Sequence, residues 1–291
     1  MQDVFQPLIN GILLGGIYAA VGVGLSMIFG IVRMVNLAHG DLMILSSYIM
    51  LATCGILGIN PYTSLIVALP VMFGLGYGIQ KYILNRVLGA GMEPPLIVAF
   101  GLSIILQNTL LLIFSPDARS LQTSLSIKSI DLTQTVSIPV IYLVGFVFGV
   151  GTVSILQLFF RSTFLGRAIR AASDDEMAAQ YMGINTQTIF AVAMGIAMMT
   201  AAIAGMLIGT TFTFFPHTGP QYLIIAFGVV IIGGAGSMIG TLAGGLILGI
   251  AQLMGAYFLG SGYQLLAGYV ILIIVLAIRP QGLFGKAGRA A

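Results

Sequence analysis

The feature that most constrains this chain is a succession of long stretches without a single charge: 7–31, 42–59, 62–80, 94–114, 140–160, 186–209, 238–258 and 262–278, with a shorter apolar stretch at 221–233. A helix rises 1.5 Å per residue, so about 20 apolar residues cross a hydrocarbon core of roughly 30 Å. The expected fold is all-α, a polytopic transmembrane helix bundle of about 8–9 spans.

Composition removes the alternatives. Only 19 of 291 residues are charged, 11 Lys+Arg and 8 Asp+Glu, and 58% are hydrophobic. A soluble domain carries about 25% charged residues, so this chain cannot solvate a globular surface. One cysteine, Cys54, makes no internal disulfide, and with His39 and His217 it cannot fill a tetrahedral zinc site. The net charge of +3 is spread thinly, with no basic run to grip nucleic acid.

The cations report topology. Short cytoplasmic loops are enriched in Lys and Arg. With nine crossings and the N-terminus outside, the inner loops hold Arg33, Lys81, Arg86, Arg161, Arg167, Arg170, Arg279, Lys286 and Arg289, and only Arg119 and Lys128 fall outside. No Lys or Arg precedes Arg33, so the first run lacks the basic start of a signal peptide and is expected to be retained. Merging 221–258 into one crossing would put the C-terminal cations opposite Arg161–Arg170. Two crossings are therefore expected there, turning at Gly233–Ser237, although eight spans remain possible if one early run is re-entrant. Residues 115–139 are rich in Ser, Thr and Gln, and Leu125, Ile127 and Ile130 nearly alternate, as in an external loop with a short strand. The turn 210–220 carries Phe212, Phe214, Phe215 and His217, which suits a membrane interface.

Thirty-nine glycines include Gly-xxx-Gly pairs at Gly11/Gly15, Gly74/Gly78, Gly145/Gly149, Gly205/Gly209, Gly240/Gly244 and Gly245/Gly249. Such pairs let helices approach closely in lipid; alternatively, some glycines break helices along a substrate path. The long runs themselves contain no Asp, Glu, Lys, Arg or His, so neither a catalytic pair nor a proton-coupling acid is expected within them. Gln107, Asn108 and Gln252 are the strongly polar side chains deep in the runs, read either as interhelical hydrogen-bond partners or as residues facing a pore.

Two intervals concentrate unusual residues. Gly30–Asp41 packs Arg33, Asn36, His39 and Asp41 between two apolar runs; it reads as a polar turn or as a broken helix whose Asn36, His39, Gly40 and Asp41 line a path or gate. The second interval, Arg161–Asn185, is the most charged in the chain. Ser173, Asp174 and Glu176 form a capping-box pattern and Gly183 a stop, so a short helix over 173–183 is expected. Met177, Ala178, Tyr181 and Met182 share one side of it, a face for the bilayer surface or, the favoured reading, for a partner protein's groove.

Here the residues resemble a known family. Glu176–Asn185, with its Ala178-Ala179 and Gly183, looks like the coupling loop of bacterial ABC importer permeases. Asn10–Ala20, Asn36–Asp41, Gly166–Ala171, Gly183–Asn185 and Gly233–Ser237 resemble the high-affinity branched-chain amino acid permeases, closest to their shorter permease subunit. The resemblance covers nearly the whole chain, and Met177 is a minor departure from the coupling pattern.

It implies a single permease domain over 1–291 in the bacterial inner membrane, with 173–183 as a cytoplasmic coupling helix. Arg170, Ser173, Asp174, Glu176, Met177, Ala178, Ala179, Tyr181, Met182 and Gly183 would couple to the ATPase. It further implies two ATP-binding subunits that hold ATP and Mg, a second and related permease subunit, and an external amino-acid-binding protein. This chain would bind no cofactor and catalyse nothing itself. Other solutes of such systems, urea, amides or other amino acids, stay open, as does a stand-alone channel or secondary transporter.

Overall fold

The computed structural model describes residues 4–32, 34–89, 91, 93–133 and 136–285. In chain order its helices are α1 (Phe5–Ile31), α2 (His39–Leu57), α3 (Pro61–Gly78), α4 (Glu93–Phe114), α5 (Val140–Ser162), α6 (Phe164–Asp174), α7 (Glu176–Tyr181), α8 (Thr186–Thr211), α9 (Gly219–Gly233), α10 (Met238–Leu259) and α11 (Gln264–Ile278). A π turn, Ile79–Ile83, and a 3-10 turn, Leu84–Arg86, extend α3, and a 3-10 turn, Ser261–Tyr263, precedes α11. Among the described residues eight helices are long and apolar enough to cross a membrane, and α9 is shorter.

The bundle has two distinguishable ends. At one, an antiparallel hairpin of β1 (Ser129–Thr133) and β2 (Val136–Pro139) meets the N-terminal segment, where Gln6 Nε2 donates to the Ser137 carbonyl at 2.6 Å. The strand expected from Leu125 and Ile127 thus starts later, and Ile127 projects outward, 91% exposed. The other end carries α6, α7 and the turn between α9 and α10. That turn lies where the glycines of 233–237 place it: Gly234 and Gly236 adopt φ of 98° and 76°, and Ser237 Oγ caps α10 by accepting from Gly240 N at 3.0 Å.

Glycine sets how tightly the helices meet. A Cβ on Gly11 or Gly15 would lie 2.8 or 2.6 Å from the Cα of Ile250 or Leu246, so α1 and α10 touch backbone to backbone. Gly245 and Gly249 complete the same antiparallel seam from the α10 side. Gly149 brings the α5 backbone onto Gly16 of α1 and Gly145 makes room for the Ile17 side chain, whereas Gly74 has no neighbour within 4 Å and the Gly74/Gly78 pair joins no helices.

Two segments turn back into the bundle. His39 Cε1 lies beside Gly24 of α1 and Thr200 of α8, residues well inside those helices, so α2 begins part-way through the bundle. Residues 34–38 lead into it from the α6–α7 end, where α1 finishes. From the hairpin end, 212–218 dips inward and delivers the start of α9 to the same depth, against Gly40 and Asp41. A 15-residue helix is about 22 Å long, so α9 completes a passage only together with that dipping segment. Among the described residues the bundle thus holds eight helices of membrane-spanning length and, in α9, one shorter apolar helix.

This arrangement repeats in inverted sense. A buried long helix followed by a helix that starts inside the bundle occurs as α1 and α2 and again, across 212–218, as α8 and α9. α10 packs antiparallel along α1 as α3 does along α8, with Gly195 of α8 against Phe73 and Gly76 of α3 against Met194 and Met198.

Among the described cations, Lys81, Arg86, Arg161, Arg167, Arg170 and Arg279 lie toward the α6–α7 end and Arg119 and Lys128 toward the hairpin end. Arg33, Lys286 and Arg289 lie outside the described residues.

Candidate functional site

The first candidate site is where α2 and α9 start. Asn36, His39 and Asp41 are all but fully buried, at 1%, 0% and 1% exposure. Asn36 shapes the entry: its Oδ1 accepts from Ala38 N at 3.0 Å and its carbonyl from His39 N at 3.1 Å. Asp41 then occupies the first turn of α2, where a negative charge opposes the positive end of the helix dipole. Its Oδ1 also abuts Gly219, the first residue of α9. Two helix N-termini therefore converge on one carboxyl group.

Neither glycine at this contact can be replaced without displacement. A Cβ on Gly40 would strike the Gly219 carbonyl, and one on Gly219 would strike Asp41. The other Asp41 oxygen accepts from Ser103 Oγ of α4 at 2.5 Å, and Gln107 Nε2 donates to Ser103 Oγ at 3.1 Å. Gln107 so joins the Asp41 group through Ser103. Asn108 does not: it lies on the exposed side of α4 and its Nδ2 donates back to the Ile104 carbonyl at 2.8 Å. Asn36 Nδ2, both His39 ring nitrogens and Asp41 Oδ1 have no hydrogen-bond partner among the described residues.

This corrects the expectation that the spans contain no ionisable residue. α2 starts at His39 and not at Leu42, because the chain re-enters the bundle before the helix begins, carrying the polar motif inward. Ser103 and Gly219 escaped sequence reasoning. A serine in an apolar run and a glycine before a proline carry no signal until the depth of each helix start is known.

The second candidate site is the α6–α7 projection. Thr163 Oγ1 caps α6 by accepting from Gly166 N at 3.0 Å, and Asp175 Oδ1 caps α7 by accepting from Ala178 N at 2.9 Å. Ser173 is thus not the cap of the short helix. It lies in the last turn of α6, where its Oγ donates to the Gly30 carbonyl at 2.7 Å. Two caps in succession, Thr163 and Asp175, split into two helices the interval for which one was expected.

α7 leans on α8 through Glu176, whose Oε1 accepts from Gln180 Nε2 at 3.3 Å and Thr186 Oγ1 at 3.1 Å. Ala179 turns inward, 4% exposed, while Met177, Tyr181 and Met182 stand 66%, 85% and 83% exposed. Arg170, Asp174 and Ala178 are exposed too. Gly183, at φ 85°, ends the helix in a left-handed conformation that lets Ile184 N reach the Ala179 carbonyl at 3.0 Å. Among the described residues no group of three His, Cys, Asp or Glu is placed to hold a metal ion.

A multi-pass bundle that joins two helix starts inside the membrane and projects an amphipathic element from one end defines a class, the membrane-embedded subunit of a transporter. The particular family is equally plain. The chain belongs to the permease components of branched-chain amino acid transport systems, whose family model matches residues 8–278. It is 31% identical to the high-affinity branched-chain amino acid transport system permease protein BraD of Pseudomonas aeruginosa, over 97% of this chain and 95% of the relative. It is 30% identical to the corresponding protein LivH of Escherichia coli, with the same coverage. The fructose import permease protein FrcC of Rhizobium meliloti is a more distant relative, 30% identical over 83% of this chain and 69% of that protein. Among solved structures, PsaBC from Streptococcus pneumoniae in complex with Fab matches the fold at a TM-score of 0.50 and 14% identity, over 96% of this chain and 93% of that one.

Proposed function

We propose that this chain is the non-catalytic permease subunit of an ATP-driven importer that carries leucine, isoleucine and valine across the bacterial inner membrane. The observation that carries the reading is the α7 face: Met177 and Tyr181 on the helix and Met182 at its end are held outward, while its other side is tied to α8. A six-residue helix is not stable in water by itself and gains its order from docking, here onto an ATP-binding subunit. Two such subunits would hold ATP and Mg, and a second, related permease would supply the other wall of the path. An external binding protein would select the amino acid.

In this reading the α6–α7 end is cytoplasmic, which puts the N-terminus outside and matches the bias of the described cations. The Asn36–Asp41 turn, with Gln107 behind it, forms a gate. Its unpartnered polar atoms can greet a polar solute in passing without binding it tightly, and half-helix ends inside a bundle are where such solutes meet transport proteins. Asn108, on the outer side of α4, belongs to the path only if the second permease lies against that side.

Glu176→Lys and Gly183→Trp test the docking role. Both are expected to insert normally yet fail to co-purify with the ATPase subunits and fail to support uptake. Wild-type uptake by both would remove α7 from the mechanism.

A further inference from the structure

We propose that Ser173 is a positioning residue of the transport cycle: its hydroxyl fastens the ATPase-docking segment to the end of α1 and so to the start of α2 at the gate. The proposal rests on the docking role of α7 given above.

Gly30 is one residue short of the end of α1, so its carbonyl is among the last four that find no partner within the helix. Ser173, from the last turn of α6 and 143 residues away in sequence, donates to it at 2.7 Å. The opposite side of Gly30 is closed: a Cβ there would lie 2.6 Å from the Cα of Gly236 in the α9–α10 turn. The end of α1 is therefore held between the docking segment and the turn that finishes α9.

Beyond that end residues 34–38 lead into α2, which sets Asp41 against Gly219 at the junction. Glu176 supplies the other connection. It ties α7 to Thr186 at the start of α8, and α8 leads through 212–218 to α9. Each helix start at the junction is thus reached from the docking segment by its own buried helix, α2 through α1 and α9 through α8. The α8 route is covalent. The α1 route runs through the Ser173 hydrogen bond and the α6 residues packed beside it.

The surroundings leave room for motion. A cavity of about 370 Å³ opens beside this contact, lined in part by Ile31, Val32, Leu88, Glu176 and Phe190, so one flank of the contact is open. Ile169 and Ala172 of α6 pack in the same buried cluster as Ile28 and Ile31 of α1, and the hydroxyl adds a directional link to that packing.

The experiment uses the whole complex, both permeases, the ATPase subunits and the binding protein, in liposomes. Leucine uptake and ATP hydrolysis are measured in the same vesicles, and ATPase retention is measured on the purified complex. Ser173→Ala, Ser173→Val and Ser173→Thr are compared, Val and Thr having the same shape and differing in the hydroxyl. Ala and Val should keep their ATPase subunits but move about five- to tenfold fewer leucines per ATP, the scale of one lost hydrogen bond, and Thr should stay within about twofold of wild type. A wild-type ratio in Ala, a loss in Thr as deep as in Val, or release of the ATPase subunits by Ala would overturn the proposal. Failure of the docking role itself would show differently, as ATPase retention by Glu176→Lys.

Discussion

At the residue scale, what matters most is where the chain can accept no side chain. Gly40 and Gly219 meet with no space between them, and the Asp41 carboxyl fills the remaining volume. Gly40→Ala should force the two helix starts apart at a cost of about 1–3 kcal/mol and cut uptake severely at unchanged membrane abundance. Uptake by Gly40→Ala equal to wild type, with expression checked by immunoblot, would show that this contact is not part of the gate. Tyr181 stands at the other extreme, almost fully exposed. Its truncation to Ala should leave the isolated permease as stable as before and weaken its association with the ATPase subunits about tenfold or more, as expected of a buried aromatic anchor. Titration of the ATPase against the detergent-solubilised permease measures this.

At the scale of elements, the α1–α10 seam organises the fold. Gly15 and Gly245 allow the two backbones to touch, and Gly245→Val would insert an isopropyl group whose Cβ alone already meets the Gly15 carbonyl and the Ala19 backbone. The variant should lose about 2–3 kcal/mol and aggregate on size-exclusion chromatography, whereas Gly74→Val, which faces open space, should remain monodisperse. Sequence alone made most of these elements legible, because hydrophobic runs of membrane length, glycine spacing and cation bias are local signals. It also located the turn between α9 and α10. It missed the split of α6 from α7, since Ser173 and Asp175 both look like caps and only the contact of Ser173 with Gly30 decides between them. For the Asn36–Asp41 motif it left two readings open, a polar turn or a broken helix lining a path, and the depth at which α2 starts is what places His39 and Asp41 inside the bundle.

At the scale of the whole molecule, two inverted units, α1–α2–α3 and α8–α9–α10, place their half-helix starts against each other, and one amphipathic projection hangs from the end where α1 finishes and α8 begins. This design gives a single external push two routes to one internal contact. It suits a subunit that does no chemistry and draws its energy from a partner. The central claim is that this chain moves branched-chain amino acids only when coupled to ATP hydrolysis by that partner. The most direct test places the permease pair in liposomes with and without the ATPase subunits, supplies the binding protein outside and ATP inside, and follows labelled leucine, with fructose and urea as controls. The account predicts leucine accumulation that requires both the ATPase subunits and ATP, and none of fructose or urea. Leucine entry through the permeases alone would contradict it.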